Sequence, residues 1–392
     1  MRNFQNICVS KIDEIASLLV CAQKQDIGLL SGSAGISLFL FYYARYKNIP
    51  FPYQPAINHL DFLFSQIEEM PKPPLSFCSG VSGVGWLLDH LCRQGFLQAE
   101  PDEMLLDIDE YLYEFALNEL NHGRYDFLHG AMGIVLYFVR RNRKDFLYRF
   151  VQSLENLAIW DGDCAKWQTV LSSGTEGFNI SLSHGSSAIV LVLCKILRMM
   201  PEDDLVRKTL VGAVSYIVRQ EISVQQYGSY FPGFSIESQS SLSKTRLAWC
   251  YGDLGIATAI LDSGIVLHNQ EWIDKSIKIF LHAATRRGLQ ENMVIDAGIC
   301  HGTAGIALIF NRMYHNTKLP EFKNAAHYWF VETVEMAKFS DGFAGFKTWR
   351  SVEMGGWNNS DNLLDGIAGI GLCLLSFVMH EAPAWDECLL LS

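Results

Sequence analysis

The pattern Gly-x-x-Gly followed by an apolar helical stretch recurs at Gly32/Gly35, Gly80/Gly83, Gly130/Gly133, Gly252/Gly255, Gly302/Gly305 and Gly366/Gly369. A seventh copy, Gly185-Ser186-Ser187-Ala188, keeps a small residue where the second glycine falls and runs on into Ile189-Val190-Leu191-Val192-Leu193. Self-similarity at a near-constant spacing marks a repeat architecture. The first glycines lie 48 to 67 residues apart, which is room for two helices per repeat.

The two helices differ in pattern. Between motifs, Asp102 to Leu120 carries Leu105, Ile108, Leu112 and Phe115 three and four residues apart among acidic positions, an amphipathic outer helix. After the motifs, stretches such as Ile134-Val135-Leu136-Tyr137-Phe138-Val139 are apolar all round and predict inner helices buried on every side. Seven such hairpins can close into a ring of fourteen helices, an all-α (α/α)7 toroid that needs no polar capping repeat. An open solenoid is the alternative. No linker-like composition interrupts the repeats from Gly32 to Gly369, so residues 1–392 read as a single domain. The turn-rich interruptions Tyr227 to Thr245 and Asp341 to Asn362 are candidate substrate-facing loops.

Composition excludes several function classes. With 49% hydrophobic and 19% charged residues the chain has ample core material. Thirty-one basic against forty-two acidic side chains, a net charge of -11, offer no broad footprint for a phosphate backbone, and nucleic acid is set aside as a partner. Met1 to Ser10 lacks the layout of a signal peptide and the apolar runs are too short to span a bilayer, so a cytoplasmic location is expected. Ten scattered cysteines, most in apolar helical patterns, suit buried thiols better than a disulfide framework.

The shared motif also sets a register. If every motif opens an inner helix at one level, the residues just before each first glycine cluster together: Ser31, Ser79, His129, His184, Tyr251, His301 and Asp365, with Cys78, Cys250 and Cys300 one position earlier. Free N–H groups at those helix ends favour negative charge, such as a thiolate or an enolate. Cys250, Cys300 and His301 come from adjacent repeats. Two thiolates and an imidazole suit zinc, and three protein ligands leave a catalytic open position. Any one of these cysteines is explained by burial alone; the common register is what points to a metal. His184 falls on the far side of the ring from the zinc pair, with Asp126 in the preceding repeat available to orient it for proton transfer. Arg246 can orient a carboxylate or stabilise an enolate, or form an ordinary salt bridge; Tyr251 can donate a hydrogen bond or simply pack.

The strings Arg246-Leu247-Ala248-Trp249-Cys250-Tyr251-Gly252 and Cys300-His301-Gly302-Thr303-Ala304-Gly305 resemble the signature motifs of the lanthionine synthetase C-like family. Ser183-His184-Gly185, Tyr125-Asp126-Phe127-Leu128-His129-Gly130 and Leu363-Leu364-Asp365-Gly366-Ile367-Ala368-Gly369 resemble further family motifs, in the family's order. The resemblance implies a seven-fold double-helical toroid, one Zn2+ per chain held by Cys250, Cys300 and His301, and active-site positions at Asp126, His184, Arg246 and Tyr251. It implies a cyclase that adds peptide cysteine thiols to dehydroalanine or dehydrobutyrine, closing thioether rings in a precursor peptide. A dehydratase and a membrane-associated transporter are the partners it suggests, with peripheral membrane association through them.

The chain departs from the family pattern at Leu254, at Ala188 and at His129, the last a second titratable group beside the proposed base. Two alternatives share the fold: a zinc protein that joins glutathione or another small thiol to dehydrated residues, and a non-catalytic scaffold for a modification or export complex. A carbohydrate-active barrel would need two carboxylates on opposite walls, and the register supplies only Asp365, with Asp126 near it.

Overall fold

A computed structural model describes residues 2–22, 26–171 and 174–392. The helices in chain order are α1 (Arg2–Leu19), α2 (Ser33–Tyr46), α3 (Gln54–Glu69), α4 (Val81–Arg93), α5 (Pro101–Asn121), α6 (Ala131–Arg140), α7 (Lys144–Leu157), α8 (Ser186–Met199), α9 (Asp204–Arg219), α10 (Val224–Tyr227), α11 (Asp253–Val266), α12 (Gln270–Thr285), α13 (Thr303–Thr317), α14 (Pro320–Glu335) and α15 (Ile367–Met379). Each of α2, α4, α6, α8, α11, α13 and α15 begins on the residue after a motif's first glycine. They are buried nearly all round, as in Ile367 to Ser376 of α15. The other long helices bury one stripe, as α7 does with Phe146, Leu147, Phe150, Val151 and Leu154.

The turn before six of these seven inner helices, all but α11, is one repeated structure. A helix starts with N–H groups that have no partner inside it. Here the first N–H bonds back to the carbonyl seven residues earlier: Ser33 to Asp26 at 2.8 Å, Val81 to Pro74 at 2.9 Å, Ala131 to Arg124 at 3.0 Å, Ser186 to Asn179 at 2.9 Å, Thr303 to Asp296 at 3.1 Å and Ile367 to Ser360 at 3.1 Å. The chain thus folds back over its own first helical turn, and this explains the glycines. A Cβ at Gly305 would stand 1.9 Å from the Ile299 carbonyl oxygen, and one at Gly369 1.8 Å from that of Leu363. Crowding between neighbours contributes as well: a Cβ at Gly133 would meet the Phe77 Cβ at 2.3 Å. Gly252 alone among the seven first glycines has a left-handed φ, +90°.

The chain gathers into two compact units, Met1–Pro74 with Cys78–Glu100 and Arg287–Ser392, and Leu75–Phe77 with Pro101–Arg286. In the first, α1 packs on α15, α15 on α2 and α13, and α13 on α14. Backbone bonds run from turn to turn: Ile299 N–H to Leu364 at 2.9 Å, Leu364 N–H to Leu30 at 2.9 Å, and Leu30 N–H to Cys78 at 2.9 Å. In the second, α6 packs on α5 and α8, α8 on α9 and α11, and α11 on α12. The same bonds recur there, Phe127 N–H to Ser183 at 3.2 Å and Leu182 N–H to Cys250 at 3.1 Å.

Among the described residues three two-stranded antiparallel pairs interrupt the helices, which the sequence reading did not anticipate. They pair β1 (Ile159–Asp161) with β2 (Cys164–Lys166), β3 (Thr169–Val170) with β4 (Glu176–Gly177), and β5 (Thr348–Trp349) with β6 (Trp357–Asn358), all antiparallel. Asp161-Gly162, with Gly162 at φ +64°, was the legible turn signal for the first. None of the ten cysteines forms a disulfide, and Cys21 is exposed. Among the described residues no helix is long and apolar enough to cross a membrane.

Candidate functional site

Cys300 and His301 close the turn that opens α13. Behind them the buried Asp296 carboxylate is fixed at both oxygens: Oδ1 accepts the Gly298 N–H at 3.1 Å and Oδ2 accepts the Trp349 N–H at 2.9 Å. Oδ2 also lies 3.4 Å from His301 Nε2. Asp365 belongs to the same neighbourhood, its carbonyl accepting the Thr348 hydroxyl at 2.6 Å. Burial raises the Asp365 carboxyl pKa, the Asp296 charge adds to that, and His301 and Arg350 only partly oppose it.

His184 and Asp126 come from two successive turns, before α8 and α6. Their Nδ1 and Oδ1 atoms stand 3.4 Å apart with side chains 36% and 24% exposed, so the pair is open enough to meet a substrate. Asp126 Oδ1 also accepts the His129 N–H at 2.8 Å. Burial pushes this carboxyl up, but the bonds from His184 and from the His129 backbone, with the charges on both imidazoles, outweigh it and hold it below the ordinary value. The His129 side chain is exposed.

His184 is not on the far side from Cys250, as the register suggested. The Ser183 N–H and hydroxyl both reach the Cys250 carbonyl, at 3.3 and 3.4 Å, because the turn before α8 pairs directly with the turn before α11. The His184 ring centroid lies 6.1 Å from that of Tyr251. Tyr251 is flanked by Phe234 at 5.8 Å, and its hydroxyl accepts from Asn179 Nδ2 at 3.3 Å. Arg246 is half-buried and forms no salt bridge with any described residue, so the ordinary ion pair allowed for it is not made.

Cys250 stands at the end of the turn before α11, as Cys300 and His301 do at the end of the turn before α13. Two sulfurs with one imidazole are the donor types that a tetrahedral zinc takes, so the set Cys250, Cys300 and His301 fits that ion. Cys250 is 5% exposed, well enough shielded for thiolate–metal bonding.

Sequence reasoning missed Asp296 and Asn179. Both stand six residues before a first glycine, where Asp26 does too, and all three make the same short turn: Gly28 N–H to Asp26 Oδ1 at 2.9 Å, Ser181 N–H to Asn179 Oδ1 at 2.9 Å, and Gly298 N–H to Asp296 Oδ1. Extending the register four residues further would have found them.

Known proteins match this arrangement along nearly the whole chain. The family described as lanthionine synthetase C-like protein matches residues 23–390. Nisin biosynthesis protein NisC of Lactococcus lactis subsp. lactis is 24% identical over 413 aligned residues, covering 93% of this chain and 90% of its own. The structure of a nisin cyclase superposes with a TM-score of 0.75 at 20% identity, covering 100% of this chain and 97% of that one. The fold is therefore shared with that cyclase, the all-α double-helical toroid that the repeat predicts. By the extent of the family match, this chain belongs to the lanthionine synthetase C-like family.

Proposed function

We propose that this protein is a lanthipeptide cyclase that closes thioether rings in a dehydrated precursor peptide. The observation that carries the reading is the 3.4 Å approach of His184 Nδ1 to Asp126 Oδ1 in a chain of this family, which also has the zinc-suited donors Cys250, Cys300 and His301. These three residues would hold one Zn2+. When bound, the ion supplies a Lewis acid that keeps a peptide thiol in its nucleophilic thiolate form near neutral pH.

The chain's own residues then account for the protons and the developing charge. A C–S bond forms at the β-carbon of dehydroalanine or dehydrobutyrine, the C=C π pair moves onto the adjacent carbonyl, and the α-carbon takes a proton, so the peptide's mass is unchanged. His184 is the proton carrier, and Asp126 stabilises its imidazolium form as well as its orientation. Arg246, with no salt-bridge partner among the described residues, places positive charge for the enolate oxygen, and the Tyr251 hydroxyl can donate to the same oxygen. A precursor peptide is the substrate on this reading. A dehydratase supplies the dehydrated residues, a membrane-associated transporter removes the product, and the reaction is cytoplasmic.

The test is incubation with a dehydrated Cys-containing peptide followed by thiol alkylation. The expected result is progressive loss of alkylatable thiols without mass change, abolished in His184→Ala and on zinc removal. Constant thiol counts over several such peptides, with the protein folded and zinc-loaded, would overturn the reading.

A further inference from the structure

We propose that Asp296 is the positioning residue for His301: its Oδ2 holds the proton-bearing Nε2, presenting Nδ1 as the ligand nitrogen. This rests on the zinc reading above. A metal-bound histidine needs its second ring nitrogen protonated and held, which fixes both tautomer and ring plane. Here Oδ2 is 3.4 Å from Nε2, and Asp296 is only 2% exposed, so water does not compete for that oxygen. The carboxylate is itself anchored at both ends, by the Gly298 N–H on Oδ1 and the Trp349 N–H on Oδ2. Trp349 belongs to β5, so the β5–β6 hairpin is fastened to the oxygen that faces the imidazole.

The rival account is that Asp296 merely builds the turn before α13. Asn179 argues against it, because in the equivalent turn before α8 a side-chain amide oxygen makes the same bond, to Ser181 at 2.9 Å. The turn needs one acceptor oxygen and no carboxylate. The turn that precedes His301 couples this position to an imidazole through a second oxygen, whereas Asp26 precedes Ser31.

Asp296→Asn therefore keeps the turn and puts an NH2 where Oδ2 faced two N–H donors. Zinc affinity of the full-length chain, measured by chelator competition, should fall about 10- to 100-fold. In a His301→Ala background the same substitution should change affinity less than about twofold, since a residue acting through His301 has nothing left to position. Equal losses in both backgrounds, or none in the native one, would overturn the inference. Histidine-nitrogen NMR of the zinc-loaded native chain gives a second reading that does not depend on a variant folding: His301 must carry its proton on Nε2, and a proton on Nδ1 refutes the role of Asp296. A folded native chain that binds no zinc refutes the metal reading itself, whereas tight zinc binding that is indifferent to Asp296→Asn refutes only this step.

Discussion

The Asp126 carboxylate faces the His184 imidazole across 3.4 Å, Oδ1 to Nδ1, although the two residues are 58 positions apart in the chain. They meet because each belongs to a copy of the same turn, and the Phe127 N–H to Ser183 bond locks those copies together at 3.2 Å. The repeat thus turns sequence register into spatial proximity. With Asp126 behind Nδ1, Nε2 is left as the nitrogen free to exchange a proton with a substrate.

His184→Ala is expected to slow ring closure by about 10²- to 10⁴-fold, the span for removal of a positioned general acid or base. Asp126→Asn should cost less, because the imidazole remains and only its orientation and charge stabilisation are lost. Time courses of alkylatable thiols would rank the two. An Asp126→Asn loss exceeding that of His184→Ala would assign the proton transfer to the wrong residue.

The depressed Asp126 carboxyl also predicts a pH dependence of stability. An acid whose folded value lies below its unfolded one, about 3.9 for Asp, contributes stability that is fully present above the unfolded value and lost as pH falls through the folded one. Native protein should therefore unfold at higher urea than Asp126→Asn near neutral pH, and the gap should close in acid below the ordinary carboxylate range. A gap independent of pH would mean that the ionised carboxylate is not its source.

Thiol reactivity offers a check on the surroundings of the cysteines. Burial pushes the Cys8 thiol up to about 12 and that of Cys164 up to about 11, while Cys21 is exposed. Near pH 8 the thiolate fractions of the first two are roughly 10⁻⁴ and 10⁻³. Mass-resolved alkylation of folded protein should modify Cys21 well before either. Early modification of Cys8 would show that α1 opens in solution.

Much of this was legible because a repeat supplies its own internal alignment. The glycines gave all seven inner helix starts, and the positions before them gave Cys250, Cys300, His301 and His184 as one set. What the register could not show is which turn pairs with which, and so the relation of His184 to Cys250 was misjudged. The Asp296 partner Trp349 was also out of reach, since that bond joins positions 53 residues apart through an irregular hairpin. The short strands from Ile159 to Gly177 escaped for a different reason: two or three residues each carry too few alternations to stand out against helical surroundings.

The glycines themselves make a graded prediction. Gly369→Ala would force a Cβ to 1.8 Å from a backbone oxygen, so the turn before α15 must move, at a cost of about 1–3 kcal/mol. Gly233→Ala, with nothing within 4 Å, should change stability by less than about 0.5 kcal/mol. Urea midpoints of the pair decide the matter, and equal effects would contradict the close approach.

Asp253, the first residue of α11, ties the loop that precedes Cys250 to the helix that follows it. Its Oδ1 accepts the N–H groups of Tyr230 and Phe231, both at 3.0 Å, and its Oδ2 meets Arg286 Nη1 at 3.3 Å. Arg286 Nη2 in turn donates to the Thr245 carbonyl at 2.6 Å, so both ends of the segment 230–245 are clamped by one buried ion pair. Asp253→Ala removes the carboxylate opposing a guanidinium that is 5% exposed, and should destabilise by about 3–5 kcal/mol. Asp253→Leu combined with Arg286→Met should recover part of that stability, because apolar residues of similar volume can replace a buried pair. The double variant still lacks acceptors for the Tyr230 and Phe231 N–H groups, so its loop should remain unclamped and trypsin should cut after Lys244 faster than in native protein. A double variant as resistant as the native chain would show that packing of Phe231 and Phe234, and not the carboxylate, holds the segment in place.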